Sequence, residues 1–291
     1  MEEMSEDLFE SHRGLVFGVA YRMLGSVDEA DDVVQETWLR WSAAPRDDVL
    51  DPRAYLARVA ARLALDHVRR VARRRESYVG EWLPEPILTG PDVADDAALA
   101  DTVSMAMLVV LETLSPLERA VFVLDKAFGF SHKEIGQALG RTEPAVRQLA
   151  HRARQHVDAR RPRFVADRGV RTAVTERFMR AAAGGDLAAL LDVLAPDVTL
   201  VSDADGKVRS PRHRITGAAT IGAVFSASGY RMPPGAYVKI TDINGVPGAL
   251  ALVDDVAFAA FVLEVDAVSE RVTTIRLIAN PEKLRLPHCP A

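Results

Sequence analysis

One cysteine, Cys289, stands in 291 residues. That scarcity excludes an internal disulfide and any multi-cysteine zinc site, and it fits a reducing compartment. No apolar run approaches the roughly 20 residues needed to span a bilayer. The opening MEEMSEDLFE lacks the basic and apolar stretches of a secretory signal, so the cytoplasm is the expected location. Internal repeats and low-complexity tracts are also missing. What remains is a chain 48% hydrophobic, with material for real cores and a length that suggests two or three domains.

The net charge of −5 conceals an alternation. Residues 1–52 hold four Arg against 13 Asp and Glu, whereas residues 53–75 hold eight Arg against Asp66 alone. Residues 76–140 hold three Lys and Arg against 11 acids, and residues 141–163 hold seven Arg against two. The remainder, residues 164–291, is neutral. Two basic segments divided by acidic ones predict a protein that touches a polyanion twice. The acidic stretches leave surface for a second, basic partner.

Helical periodicity and capping signals organise the first 161 residues. A helix over Leu8–Leu24 stops at Gly25. Ser26 and Glu29 open another, to about Ala43. After the loop APRDDVL, Asp51 caps and Pro52 starts a long Arg-rich helix to about Arg75, with Leu56, Val59, Ala60 and Leu63 on its apolar side. Gly80, Pro84, Pro86, Gly90 and Pro91 break the pattern and predict a linker. Helices resume near Asp96, and Ser115, Pro116 and Glu118 make a further cap.

The segment Ser131–Arg161 reads as a helix-turn-helix. Ser131 and Glu134 form a capping box, Gly140 ends the first helix, and Thr142 with Pro144 opens the second. Val146, Leu149, Ala150, Ala153 and Val157 share one face, while Arg147, Gln148, His151 and Arg154 share the other, with Arg152 at its margin. Arg suits guanine and Gln suits adenine in a major groove. Arg147, Gln148, His151 and Arg152 are therefore assigned to base edges or their neighbourhood. Arg154, Arg160 and Arg161 are assigned to phosphates.

A boundary near Pro162–Gly169 precedes a change of pattern. Helices over Arg171–Ala183 and Leu187–Leu194 are followed, after Pro196, by strand-like runs DVTLVS, AYVKITDI, ALALVD, VAFAAFVLEV and RVTTIRLIA. The expected fold class is multidomain: two all-α domains, the second a helix-turn-helix, followed by an α+β domain. The expected divisions are residues 1–77, a linker 78–100, 101–161 and 170–291. Asp203 and Asp205 are potential bases by residue type, but both read as members of a Gly-containing turn, where Asp is common. No metal cluster, triad or phosphate loop accompanies them, so neither cofactor nor catalysis is expected.

Together these segments resemble the extracytoplasmic-function sigma factors of the sigma-70 family. Ala30–Trp38, ADDVVQETW, is similar to the family's region 2.2, which implies docking of the polymerase clamp coiled coil through Asp31, Asp32, Gln35 and Glu36. DPRAYLARVAARLALDHVRRVARRR is similar to the helix that melts and reads the −10 element, which points to Arg58, Arg62, Arg69 and Arg70. Arg62 replaces an Asn common in the family. The resemblance also implies a pocket for a flipped base in the loop between Ser42 and Asp51. The helix-turn-helix matches region 4, the −35 reader.

WLPEP at Trp82–Pro86, the Asp203–Lys207 loop and NPEKL at Asn280–Leu284 resemble the group 41 members, which carry a fused SnoaL-like, ketosteroid-isomerase-like cone domain. Ala204 and Asp205 depart from that group's Asp-Gly-Gly-Gly-Lys loop. The resemblance implies that Trp82, Pro84, Asp203, Lys207, Asn280, Pro281 and Lys283 meet, regulating the chain in place of a separate anti-sigma factor. The expected partners are core RNA polymerase and promoter DNA, without membrane, and an unknown small ligand remains open for the last domain. Two rivals stay open: a helix-turn-helix repressor with a ligand-sensing domain, and a cone-fold enzyme tethered to DNA.

Overall fold

The computed structural model describes residues 2–44, 49–75, 78–89, 103–160, 166–226 and 232–285. The chain divides into two compact units, residues 1–76 with 107–161 and residues 77–106 with 162–291. The division does not follow chain order: the segment expected as a linker belongs with the C-terminal residues.

In the first unit, α1 (Glu2–Leu24), α2 (Val27–Ser42) and α3 (Pro52–Arg75) pack on one another. Ser26 Oγ accepts from Glu29 N, and Asp51 Oδ1 accepts from Ala54 N, each satisfying an otherwise orphaned helix donor. Val16, Val19 and Met23 of α1, Val33 and Trp41 of α2, and Leu56 and Leu63 of α3 are buried. The chain resumes with α4 (Met105–Glu112) and α5 (Pro116–Phe122), the latter opened by a complete Ser115–Glu118 capping box. The start expected for α4, near Asp96, lies outside the described residues. One π-helical turn, Val123–Ala127, follows α5 directly. Then come α6 (His132–Leu139) and α7 (Glu143–Asp158).

The second unit is α+β. Helices α8 (Arg168–Gly184) and α9 (Leu187–Val193) precede strand β1 (Leu194–Asp203), β2 (Ile215–Thr216) and α10 (Ala218–Ser226). Strands β3 (Tyr237–Ile243), β4 (Val246–Val253), β5 (Val256–Val265) and β6 (Val272–Ile278) complete a six-stranded sheet ordered β2-β1-β6-β5-β4-β3. The β1–β6 pair is parallel and the other pairs are antiparallel. Phe178 of α8, Leu190 of α9, and Ile221 and Phe225 of α10 pack with Leu200, Phe261, Leu263 and Ile275 in one core.

The sheet corrects two expectations. Strand β1 starts at Leu194, ahead of Pro196, because its pairing with β6 is irregular between Leu194 and Thr199, where a residue without an N–H costs no ladder bond. Asp203 is the last residue of that strand and fully buried, not a turn residue.

Candidate functional site

The helix-turn-helix is built as its capping residues dictate. Ser131 and Glu134 form a full capping box, and Gly140 closes α6 at φ 64. Gly136, inside α6, lets the turn pass close to the helix, since a Cβ there would lie 2.7 Å from the Arg141 carbonyl oxygen. Thr142 occupies the N-cap position of α7 without a side-chain capping bond, a correction to the expected cap. Val146, Ala150, Ala153 and Val157 are buried and Leu149 is half-buried, so Arg147, Gln148, His151, Arg152 and Arg154 are exposed. Arg147 pairs with Glu143 at 2.9 Å within the helix. Arg152 lies 3.0 Å from Glu118 of α5, and Arg154 lies 3.7 Å from Asp125 of the π-helical turn that follows it. Arg160 is exposed, and Arg161 lies outside the described residues.

The Arg-rich helix α3 faces the helix-turn-helix in this unit. Arg62 Nε donates to Ala138 O at 2.6 Å and Nη2 to Gln137 O at 3.3 Å. Those carbonyls end α6, where unpaired acceptors and the negative end of the helix dipole favour a cation. Arg53 Nη2 donates to Phe128 O at 2.6 Å while its guanidinium stands 4.4 Å from the Phe130 ring centroid. Arg119 Nη1 donates to Met23 O at 2.7 Å. Arg22 lies 5.1 Å from the Phe128 ring centroid, and burial lowers its pKa to about 10. Four arginines thus join α1 and α3 to the helices around the helix-turn-helix. Of the four, only Arg62 has a role expected from the sequence, contact with DNA.

Arg58 stacks on Tyr55 at 5.1 Å, Arg69 pairs with Asp66 at 3.4 Å, and Arg70 Nε donates to Asp66 O at 3.4 Å. A cleft of about 300 Å³ opens at the start of α3, lined by Leu50, Asp51, Tyr55, Arg58, Phe130 and Glu134 among others. Residues 45–48 of the loop implied to hold a flipped base, and the side chains of Arg73, Arg74 and Arg75, lie outside the described residues.

On α2, Val33, Val34, Thr37 and Trp41 are buried. That fixes Asp32 and Gln35 as exposed, with Asp31 and Glu36 half-buried. Glu36 pairs with Arg40 at 2.8 Å, and Leu39 stands 64% exposed beside them.

The second unit gathers a polar cluster around Asp203. Its Oδ2 accepts from Leu83 N and Lys283 Nζ, both at 2.7 Å, and its Oδ1 accepts from the Tyr78 hydroxyl. Asn280 Nδ2 donates to Tyr78 Oη at 2.9 Å. Lys283 is buried, its Nζ 4.1 Å from the Trp82 ring centroid and also donating to Leu83 O. The Asp203 carbonyl accepts from Ala279 N and Asn280 N. Trp82, Asp203, Asn280 and Lys283 therefore meet, and Pro84 is buried beside Leu83. Lys207 stands at the margin, paired with Asp205 at 3.1 Å and Glu282 at 2.6 Å, and Pro281 is exposed. Asp205 occupies φ 48 and Gly206 φ 66, a left-handed turn that Gly or Asp tolerates, so the departure at Asp205 keeps the loop's shape.

Tyr78 and the Leu83 amide were missed by sequence reasoning. Their signal was weak: one aromatic residue in a polar connection, and a backbone group that any residue supplies. Burial, followed by the hydrogen bond and charge of Asp203, raises the Tyr78 hydroxyl well above its ordinary 10.0. The unfolded chain then releases this proton first as pH rises, so the stabilisation is complete below about pH 10 and declines above it. In melts between about pH 9 and 11, Tyr78→Phe is expected to show a shallower alkaline decline than the natural chain; parallel declines would refute the linkage.

Among the described residues no group of three or more His, Cys, Asp or Glu is arranged to hold a metal, and no helix is long and apolar enough to cross a membrane.

A capped helix-turn-helix beside an arginine-rich helix and an acid-faced one defines a DNA-reading subunit of the sigma-70 class. Sigma-70 region 2 matches residues 8–75 and Sigma-70, region 4 matches residues 104–157. The chain is 38% identical to ECF RNA polymerase sigma factor SigJ of Mycobacterium tuberculosis (strain ATCC 25618 / H37Rv), covering 97% of this chain and 93% of the relative. It is 32% identical to the probable ECF RNA polymerase sigma factor SigI of M. tuberculosis (strain CDC 1551 / Oshkosh), covering 95% and 93%. The crystal structure of M. tuberculosis SigJ superposes with a TM-score of 0.71 at 34% identity, over 97% of this chain and 99% of that one. This chain belongs to the extracytoplasmic-function sigma factors, with the α+β C-terminal domain of the SnoaL-like type, and is an RNA polymerase sigma factor. The repressor alternative receives no support from these matches.

Proposed function

We propose that the chain docks core polymerase through Asp31, Asp32, Gln35 and Glu36. Arg58, Arg62, Arg69 and Arg70 contact the −10 element, and Arg147, Gln148, His151, Arg152 and Arg154 the −35 element. The working divisions are residues 1–77 for region 2, 101–161 for region 4 and 170–291 for the SnoaL-like domain. The protein acts in the cytoplasm, without a separate anti-sigma factor and without catalysis of its own. Asp203 supports the last point, because its carboxylate is committed to Tyr78, Leu83 N and Lys283.

One observation carries the regulatory reading. Residues 78–89 connect α3 to α4, yet they are bonded to the C-terminal domain at both ends, Tyr78 and Leu83 to Asp203 and Lys283, and Ile87 and Thr89 to Asp242, Asn244 and Gly245. The domain therefore grips the connection between the two promoter-reading regions and limits how far they separate. Within the first unit, Arg62 holds the carbonyl end of α6, so reading the −10 element requires it to exchange those carbonyls for DNA.

Run-off transcription by the reconstituted holoenzyme tests the promoter assignment. Arg147→Ala is expected to relax promoter choice, lowering discrimination at one base pair by about 1–3 kcal/mol. Its exposed pair with Glu143 offers little resistance to that exchange, being worth at most about 1 kcal/mol. Equal loss on every promoter variant would assign Arg147 to phosphate instead.

A further inference from the structure

The near-neutral charge of the C-terminal third is not evenly spread. Residues 206–241 contain no Asp or Glu but hold Lys207, Arg209, Arg212, Arg214, Arg231 and Lys239. Arg209, Arg212 and Arg214, with His213 among them, fall in the loop that joins β1 to β2, and all four side chains are exposed. The acids nearest in sequence, Asp203 and Asp205, are engaged by Lys283 and Lys207. No described residue forms an ion pair or side-chain hydrogen bond with the three loop arginines.

The loop is anchored at both ends. At its start, Lys207 N donates to Ala204 O at 2.9 Å, and the Ser210 and Ser202 hydroxyls share a hydrogen bond. At its end, Ile215 and Thr216 pair with Leu200 and Thr199, and Gly217 N donates to Val198 O. Gly80 also lies against the Arg212 backbone, where a Cβ would stand 3.4 Å from its carbonyl oxygen. A short, fixed loop loses little freedom when its side chains engage a ligand.

We propose that Arg209, Arg212 and Arg214 form a third contact with DNA, binding duplex phosphates without reading sequence. Guanidinium groups match phosphate oxygens in fork geometry, and their weaker hydration makes them better suited than ammonium groups. The loop carries no Phe, Tyr or Trp for stacking on unpaired bases, which favours a duplex over a single strand. It also carries no Trp, Phe or Leu to enter a lipid surface. Because the loop shares a chain with two promoter-reading regions, the phosphates meet it at high effective concentration, so modest intrinsic affinity suffices.

The test is fluorescence anisotropy of a labelled 30-base-pair duplex of arbitrary sequence (about three helical turns), titrated with the full chain across a salt series. Each lost phosphate contact flattens the plot of log affinity against log salt by about 0.9. The triple variant Arg209→Ser, Arg212→Ser, Arg214→Ser is expected to flatten it by about 2–3. Between 50 and 200 mM salt the natural chain then loses about 40-fold more affinity than the variant. The triple Arg→Lys variant keeps the natural slope. The three single variants, each expected to flatten it by about 0.9, serve if the triple variant fails to fold. An unchanged slope, or no binding by the natural chain, overturns the proposal. So does an unchanged slope accompanied by lost capture of core polymerase or of phosphatidylglycerol vesicles, either of which would reassign the loop.

Discussion

Asp203→Asn is expected to destabilise the C-terminal unit by about 3–5 kcal/mol and to free residues 78–83 from it. The magnitude follows from what the substitution leaves behind. Lys283 is buried, and its ammonium group faces Asp203 Oδ2 at 2.7 Å, the Leu83 carbonyl oxygen and the Trp82 ring. Removing the carboxylate charge takes the ion-pair partner from a cation held in a buried site. The Leu83 amide and Tyr78 hydroxyl must also meet a neutral amide in place of a carboxylate. Lys283→Met in the Asp203→Asn background is expected to recover part of the loss, because the uncompensated charge is then gone. Guanidinium unfolding measures the stability, and hydrogen exchange of residues 78–83 measures their release. A cost below about 1 kcal/mol would mean that the cluster is a solvated surface pair, and the grip on the connection would be withdrawn.

The second large effect is expected at the other end of the chain. Asp32→Lys combined with Glu36→Lys is expected to weaken capture of core polymerase by about a hundredfold or more. Both residues lie on the side of α2 opposite Val33, Val34 and Trp41, so the substitutions touch no core packing. Melting of the variant should stay close to that of the natural chain. Glu36→Lys also sets two cations side by side, since Arg40 is its present partner at 2.8 Å. Titration of core polymerase with labelled full chain checks the effect, and added salt should narrow the difference because neither group is buried. Unchanged capture would remove these carboxylates from the docking surface.

Local signals made much of the fold legible. Ser115–Glu118 and Ser131–Glu134 each read as a capping box and are capping boxes, because that chemistry is complete within four residues. Residues 256–265 read as one strand and form β5, since a long apolar, β-branched and aromatic run has few alternatives. The short helix Ala218–Ser226 was missed because AATIGAVFS offers neither a polar face nor a cap. The grip on Asp203 was legible only in part. Its side chains Trp82, Asp203, Asn280 and Lys283 stood in three short motifs, but the Leu83 amide carries no side-chain signature. The role of Arg62 was hidden for a related reason. An arginine that reads DNA and one that seals a helix end look alike in sequence, and only the neighbouring Ala138 carbonyl separates them.

Leu83 and Lys283, from the two halves of the Asp203 cluster, are separated by 200 residues of chain. At a synthesis rate of about 5–20 residues per second, the connection leaves the ribosome roughly 10–40 s before its lysine partner. Every newly made molecule therefore passes through an interval in which both promoter-reading regions exist and the clasp does not. Translation speed sets how long each copy spends without it.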